Sequence, residues 1–356
     1  MFVPILLFAL GLACLIKGGD WFVDGASKIA KRFRIPEIII GATIVSIGTT
    51  LPETMVSATS AVTGHPEIAY GNAIGSIICN TSLICAITIT FAPAKVDRKS
   101  MILPVIFFFI SAIIYAIISY TSGYFYRWTG ILFLVAFVSY LFVTIYRAIK
   151  QNKLEKNNEV NSDEQIETNS ESNEIDNNEV EKENKFLNKH PKLKAFTLTI
   201  WFELILLVIG AALIAVGADL LVDNGTLIAQ ALGVPESVIA LTFVALGTSL
   251  PELVTAITSL IKGHGSLSLG NIIGANLFNI IMVSGMAITL TPFAIPASTL
   301  INGIPMSLLI EIPVMFGVMI ILTVPSLITG KLKRWQGILL LSIYIAFIVV
   351  QFLLTH

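Results

Sequence analysis

Apolar runs of about 20 residues, long enough to cross a bilayer as helices, recur along most of this chain between short polar stretches. They predict about ten spanning helices, near residues 2–27, 37–62, 68–91, 102–121, 128–149, 197–229, 236–261, 267–290, 304–325 and 335–354. Between Gln151 and Asn188 the pattern stops. Asn, Glu, Ser and Lys dominate there, and a segment of that kind cannot bury a core. It predicts a disordered polar linker over 151–195, separating a first membrane unit at 1–150 from a second at 196–356.

Composition agrees with that division. The chain is 55% hydrophobic and 13% charged, with a mean hydropathy of +0.84, which is the range of polytopic membrane proteins. Basic residues follow the first, third, fifth and ninth helices: Lys28, Lys31, Arg32 and Arg34; Lys95, Arg98 and Lys99; Arg147, Lys150 and Lys153; Lys331, Lys333 and Arg334. The short loops of the opposite side offer only Arg127 and His65. By the positive-inside rule the N-terminus is outside the cell and the polar linker is cytoplasmic. Cys14, Cys79 and Cys85 lie in apolar runs without metal-like spacing, so they read as reduced core residues.

The two apolar halves repeat each other at an offset of 199 residues. Gly48-Thr49-Thr50-Leu51-Pro52-Glu53 returns as Gly247-Thr248-Ser249-Leu250-Pro251-Glu252, and Gly71-Asn72 returns as Gly270-Asn271. Gly64-His65, Gly75 and Asn80 return in the same frame as Gly263-His264, Gly274 and Asn279. An odd number of helices per half turns the second half upside down. The fold class expected is therefore an all-α polytopic membrane protein built from two inverted five-helix repeats, with a site near the bilayer midplane.

Glu53 and Glu252 stand out chemically, because an acidic side chain at the bilayer centre costs about 2.5–3.5 kcal/mol. Thr49 shares a helical face with Glu53, with Thr50 beside it and Ser46 and Ser57 one turn away on either side. Pro52 and Pro251 have no N–H, so the carbonyls of Gly48 and Gly247 lose their helical partners. Hydroxyls, carbonyls and carboxylates are hard oxygen donors that suit Ca2+ and Na+ rather than soft metals. Asn72, Ser76 and Asn80 recur every fourth residue on one face of the third helix, with Asn271, Ala275 and Asn279 in the eighth. Asn80 and Asn279 read as ligands, whereas Asn72 and Asn271 read equally as ligands or as interhelical glue. Gly71 and Gly75, with Gly270 and Gly274, read as close-contact stripes. Asp20, Asp24, Asp219 and Asp223 lie toward helix ends, with Asp24 placed to pair with Lys28; Glu203 and Glu311 read as near-surface residues.

At the paired Gly-Thr-Thr-Leu-Pro-Glu and Gly-Thr-Ser-Leu-Pro-Glu motifs, and at Gly71-Asn72-Ala73-Ile74-Gly75-Ser76 and Gly270-Asn271-Ile272-Ile273-Gly274-Ala275, the chain resembles the sodium/calcium exchanger family of the cation/Ca2+ antiporters. The resemblance covers both membrane halves. It implies exchange of Ca2+ for Na+ by alternating access in a multi-pass protein of the cell membrane. Carried over by position, Glu53 and Glu252 would bind Ca2+ between them. Thr49, Thr50, Thr248, Ser249, Ser76, Asn80 and Asn279 would line the sites with the carbonyls of Ser46 and Ala245. Two departures are Thr50 where the family usually has Ser, and Ala275, which removes one hydroxyl of the second half.

The expected partners are Ca2+, Na+ and the lipid bilayer, with no nucleic acid and no resident cofactor, and a monomer is expected to suffice. A Ca2+/H+ exchanger is the nearest alternative and a passive cation channel a remoter one. Enzyme activity is not expected: no Ser/His, His/Glu/His or paired-Asp arrangement supports it.

Overall fold

The computed structural model describes residues 2–93, 95–162, 200–231, 247–297 and 300–355. The protein is an all-α membrane protein. Its helices run α1 Phe2–Arg32, α2 Glu37–Val62, α3 Pro66–Phe91, α4 Arg98–Thr121 and α5 Arg127–Ser162 in the first half. The second half has α6 Ile200–Ala231, α7 Leu250–Ile261, α8 Gly265–Leu290, α9 Ser307–Thr329 and α10 Arg334–Thr355. Among the described residues nine of these are long and apolar enough to span a membrane, α7 being shorter. Residues 232–246, where the sequence pattern begins the seventh span, lie outside the described residues. The backbone of α5 stays helical to Ser162, past the boundary expected at residue 150; beyond it, the expected linker lies outside the described residues.

Lipid as solvent explains the surface. Ile106, Ile113 and Ile117 on α4 and Val135, Val138 and Phe142 on α5 are exposed, since without water at membrane depth only backbone groups must be satisfied internally. α8 sits at the centre, with 89% of its apolar stretch buried, against 11% for α10 at the periphery.

Glycines set two close helix crossings. A Cβ at Gly11 would meet Gly217, one at Gly18 would meet Gly210 and Ile214, and one at Gly25 would meet Glu203 and Leu207. Numbers rise along α1 as they fall along α6, so the two helices are antiparallel. Gly210 and Gly217 are the repeat equivalents of Gly11 and Gly18, so the contact is reciprocal, as a two-fold relation between inverted halves requires. The second crossing joins α2 to α8: a Cβ at Gly270 would lie 2.3 Å from the Ile38 carbonyl oxygen, and one at Gly274 2.6 Å from the Ala42 Cα. A Cβ at the equivalent Gly71 or Gly75 would meet no described neighbour within 4 Å; the repeat equivalent of the α2 segment that packs on α8 falls in 232–246, outside the described residues.

The repeat also shows in the turns. Gly64 (φ +88°) ends α2 and Gly263 (φ +77°) ends α7 in the left-handed conformation that glycine adopts without strain. Behind them the N–H of His65 donates to the Ser60 carbonyl at 2.8 Å, and that of His264 to Ser259 at 2.7 Å. π-helical turns interrupt α3 at Asn80–Cys85 and α8 at Asn279–Ser284, in matching frames; α2 has one at Gly41–Val45 and α9 one at Ser307–Glu311. Short antiparallel ladders, β1 (Tyr124–Phe125) with β2 (Phe293–Ala294) and β3 (Leu300–Ile301) with β4 (Ile304–Pro305), close the loops after α4 and α8.

Ion pairs tie helix ends. The Arg32 guanidinium holds Glu203 through Nε at 2.9 Å and Nη2 at 2.7 Å, joining α1 to α6. Asp24 pairs with Lys262 at 2.7 Å and not with Lys28, whose ammonium lies over the Phe202 ring. A tertiary partner reaching across from α7 displaced the local one that helical spacing offered. Glu311 accepts a hydrogen bond from the Gln351 amide at 3.0 Å.

The α1–α6 crossing gives a stability test. A methyl at Gly210 would sit 2.5 Å from the Phe22 backbone nitrogen, so Gly210→Ala is expected to cost about 1–3 kcal/mol, the usual range for overpacking. Gly317, mid-helix in α9 with nothing within 4 Å, is the control: Gly317→Ala is expected to be neutral or to stabilise by up to about 1 kcal/mol. Melting temperatures of the two purified variants check both.

Candidate cation-binding site

Four helices bring the polar residues of the repeat together. α2 supplies Ser46, Thr49, Thr50 and Glu53, α7 supplies Glu252 just after Ser249, α3 supplies Ser76 and Asn80, and α8 supplies Asn271 and Asn279. All of these are buried, and both glutamates are 0% exposed. The Glu252 carboxyl faces the Glu53 carboxyl and the Thr49 and Thr50 hydroxyls across the contact between α7 and α2. Thr248 is only partly buried, and Ala245 lies outside the described residues.

Local backbone breaks prepare the donors. Beyond the partnerless Gly48 carbonyl before Pro52, the π-turns shift the hydrogen-bond ladder by one residue. In α2 the Ser46 hydroxyl lies 2.7 Å from the Gly41 carbonyl oxygen, and in α8 the Ser284 hydroxyl donates to the Asn279 carbonyl at 3.0 Å. In both helices a serine five residues on meets a carbonyl at the start of the π-turn.

The asparagines divide into two kinds. Asn72 is glue: its amide donates to the Glu53 carbonyl at 3.1 Å and to the Ser57 hydroxyl at 2.9 Å, fastening α3 to α2. Asn271 fastens α8 to α2, its side-chain oxygen accepting from the Thr49 hydroxyl at 3.2 Å and its carbonyl lying 2.9 Å from the Ser46 hydroxyl. Asn80 and Asn279 do the opposite. Neither the oxygen nor the nitrogen of either side-chain amide makes a hydrogen bond.

The same holds for all four carboxylate oxygens of Glu53 and Glu252, and for the hydroxyls of Thr50 and Ser249. A neutral polar group buried without a partner costs about 1–3 kcal/mol, and a charged one more. Such groups are rare in folded proteins, and most of those among the described residues belong to Glu53, Glu252, Thr50, Ser249, Asn80 and Asn279. Each presents oxygen, and neither acid has an ion-pair partner among the described residues. A donor set of that kind can take up a hard cation such as Ca2+ or Na+.

Sequence reasoning passed over two further residues. Thr255 and Ser259 are fully buried, and their hydroxyls also lack partners. They continue one face of α7 at three and seven residues beyond Glu252, a spacing that could have been noticed. The first-half equivalent of Thr255 is the apolar Val56, so the repeat did not flag it.

Comparison with known proteins gives a consistent picture. The family model described as sodium/calcium exchanger protein matches residues 3–146 and 202–353. The chain is 33% identical over 348 residues to an uncharacterised membrane protein of Methanocaldococcus jannaschii, covering 95% of this chain and 94% of that one. It is 32% identical over 372 residues to the sodium/calcium exchanger MaX1 of Methanosarcina acetivorans, covering 98% and 99%. A solved structure of the sodium-calcium exchanger NCX_Mj soaked with 2.5 mM Na+ and 10 mM Sr2+ is 30% identical, covers 98% of both chains and superposes with a TM-score of 0.72.

The orphaned oxygens predict a ligand-dependent stability. Ca2+ at a hundred times its dissociation constant is expected to stabilise the sodium-free protein by about 2.7 kcal/mol, read as a rise in melting temperature. Glu53→Gln and Glu252→Gln are expected to abolish that rise. Ser57→Ala, which removes a hydroxyl already engaged with Asn72, is expected to keep it.

Proposed function

The chain belongs to the sodium/calcium exchanger family, and from that premise we propose that it is an antiporter exchanging Ca2+ for Na+ by alternating access. The observation that carries this reading is the pair of carboxylates from equivalent helices, enclosed together without a hydrogen bond. Thr49, Thr50, Thr248, Ser249, Ser76, Asn80 and Asn279 line the ion positions, joined by the Ser46 carbonyl and, on the family resemblance alone, that of Ala245. Two carboxylates balance one Ca2+ or two Na+, so the ions compete for shared ligands and are not held together. A third Na+ leaves the site cationic and makes exchange electrogenic. Each net charge moved is then worth about 2.3 kcal/mol per 100 mV of membrane potential.

Residues 1–150 and 196–356 act as the two inverted units, and α1 with α6, joined by their glycine contact, shift against the rest to open one side at a time. The protein works as a monomer in the cell membrane. The basic loops and the polar linker at 151–195 face the cytoplasm and the N-terminus faces outside, as the positive-inside rule requires.

The coupling ion follows from Asn279. A carboxylate there would add charge beside the glutamates and invite another cation, but an amide oxygen is neutral. Na+ is therefore expected to drive Ca2+ movement without K+. Ca2+ flux under a fixed Na+ gradient and clamped voltage is expected to persist when choline replaces K+. Collapse of that flux would overturn the assignment, and a flux that ignores Na+ but follows pH would move the protein to the proton-coupled branch.

A further inference from the structure

α1 and α6 are repeat equivalents, yet they meet the helices that carry the two glutamates in different ways. α1 packs tightly on α7: a Cβ at Gly19 would lie 2.8 Å from the Thr258 hydroxyl oxygen and 2.8 Å from the Val254 Cγ1. One turn beyond Thr258, Lys262 closes that crossing with charge. Its ammonium donates to the Asp20 carbonyl at 2.9 Å and to the Asp24 carboxylate at 2.7 Å, and lies 3.5 Å from the Asp20 carboxylate. Three oxygens on one face of α1 therefore converge on a lysine whose side chain is only 25% exposed.

The repeat equivalent of this crossing is α6 on α2, where the acids are kept and their basic partner is missing. Ala218 stands for Gly19, and Thr63 stands for Lys262, both at the offset of 199 residues. The Thr63 hydroxyl turns back to the Thr59 carbonyl at 2.9 Å. Asp219 and Asp223, the equivalents of Asp20 and Asp24, are exposed, and neither has an ion pair among the described residues. A cavity of about 700 Å3 lies between these two helices, with Leu51, Met55, Ala211, Ala215 and Asp219 in its lining.

On the topology proposed above, the crossing closed by Lys262 lies on the cytoplasmic side and the α6–α2 cavity toward the outer side. Two identical inverted halves would give the two access states equal energy, because exchanging the halves exchanges the states. A contact made in one half only, and only in one state, tilts that balance. Lys262 makes such a contact, since it holds Asp20 and Asp24 only while α1 lies against α7.

We propose that Lys262 is a one-sided ionic latch, which holds the cytoplasmic side shut and makes the outward-open state the resting one. The proposal rests on the alternating-access reading, in which α1 and α6 shift together against α2 and α7. Moving α1 off α7 strips the ammonium from Asp20 and Asp24, and no basic residue stands at position 63 to compensate on the other side. A partly exposed ion pair of this kind tilts the ratio of the two states by up to about fivefold.

The test reads conformation rather than transport. A membrane-impermeant maleimide is applied to the cytoplasmic side of full-length protein carrying Thr258→Cys, with Cys14, Cys79 and Cys85 each replaced by Ala. The labelling rate, measured without Ca2+ or Na+, reports how often α1 leaves α7. Lys262→Gln is expected to raise that rate by up to about fivefold. Lys262→Arg, and the charge exchange Asp24→Lys with Lys262→Asp, are expected to keep it near the starting value. Thr63→Lys, which offers Asp219 and Asp223 the partner they lack, is expected to raise it too, by favouring closure of the outer side. Melting temperatures show that each variant is folded. An unchanged rate in Lys262→Gln overturns the latch. So does a raised rate that the charge exchange fails to reverse, which would assign the effect to the lysine stem. A raised rate in a protein whose Ca2+ uptake ignores Na+ upholds the latch and overturns the exchange reading instead. Na+-driven uptake with an unchanged rate does the reverse.

Discussion

Four carboxylate oxygens enclosed between α2 and α7, none of them hydrogen-bonded, are what the rest of this structure answers to. In an apolar interior a lone carboxylate is paired, protonated or coordinated, and in lipid no bulk water supplies the difference. The surrounding chain is built to hold those oxygens in place without satisfying them. Asn72 binds the backbone of Glu53 and leaves its side chain alone, and Asn271 takes the Thr49 hydroxyl away from the acids. Proline at the motif and π-turns in α2, α3 and α8 loosen the backbone ladder nearby.

Duplication makes this arrangement reachable. One Glu on a spanning helix is a liability, but two halves inserted in opposite senses bring equivalent helices face to face. The reciprocal contact of Gly11 with Gly217 and Gly18 with Gly210 places the two-fold relation in the backbone itself. Symmetry then breaks where chemistry differs. Ser76 in α3 has Ala275 as its repeat equivalent in α8, and Thr50 in α2 has Ser249 before α7, so the two halves offer unequal oxygen sets around one pair of acids.

Much of the fold was legible because its signals are coarse. Apolar runs, basic loops and a fixed offset need no tertiary information, and they gave helix positions within a few residues for α2, α3 and α8. Glu53 and Glu252 were conspicuous because an acid in an apolar run is costly. Other features depend on what lies across a crossing. The seven-residue glycine spacing of α1 was passed over, since glycine is common in membrane spans and its use shows only once α6 is against it. Asp24 was matched to Lys28 by helical spacing, whereas Lys262 reaches it from another helix. The division of the asparagines into fasteners and free amides could not come from spacing, because Asn72 and Asn80 occupy one face of one helix and differ only in what stands opposite.

The central claim is that Glu53 and Glu252 jointly form the site at which the ions exchange. The most direct measurement is radiolabelled Ca2+ uptake into proteoliposomes preloaded with Na+, K+ or protons, comparing the wild type with Glu53→Gln and Glu252→Gln. The account predicts concentrative uptake only with internal Na+, and near-complete loss in either variant although both insert and fold. Near wild-type uptake in either variant, or accumulation without Na+, would contradict it.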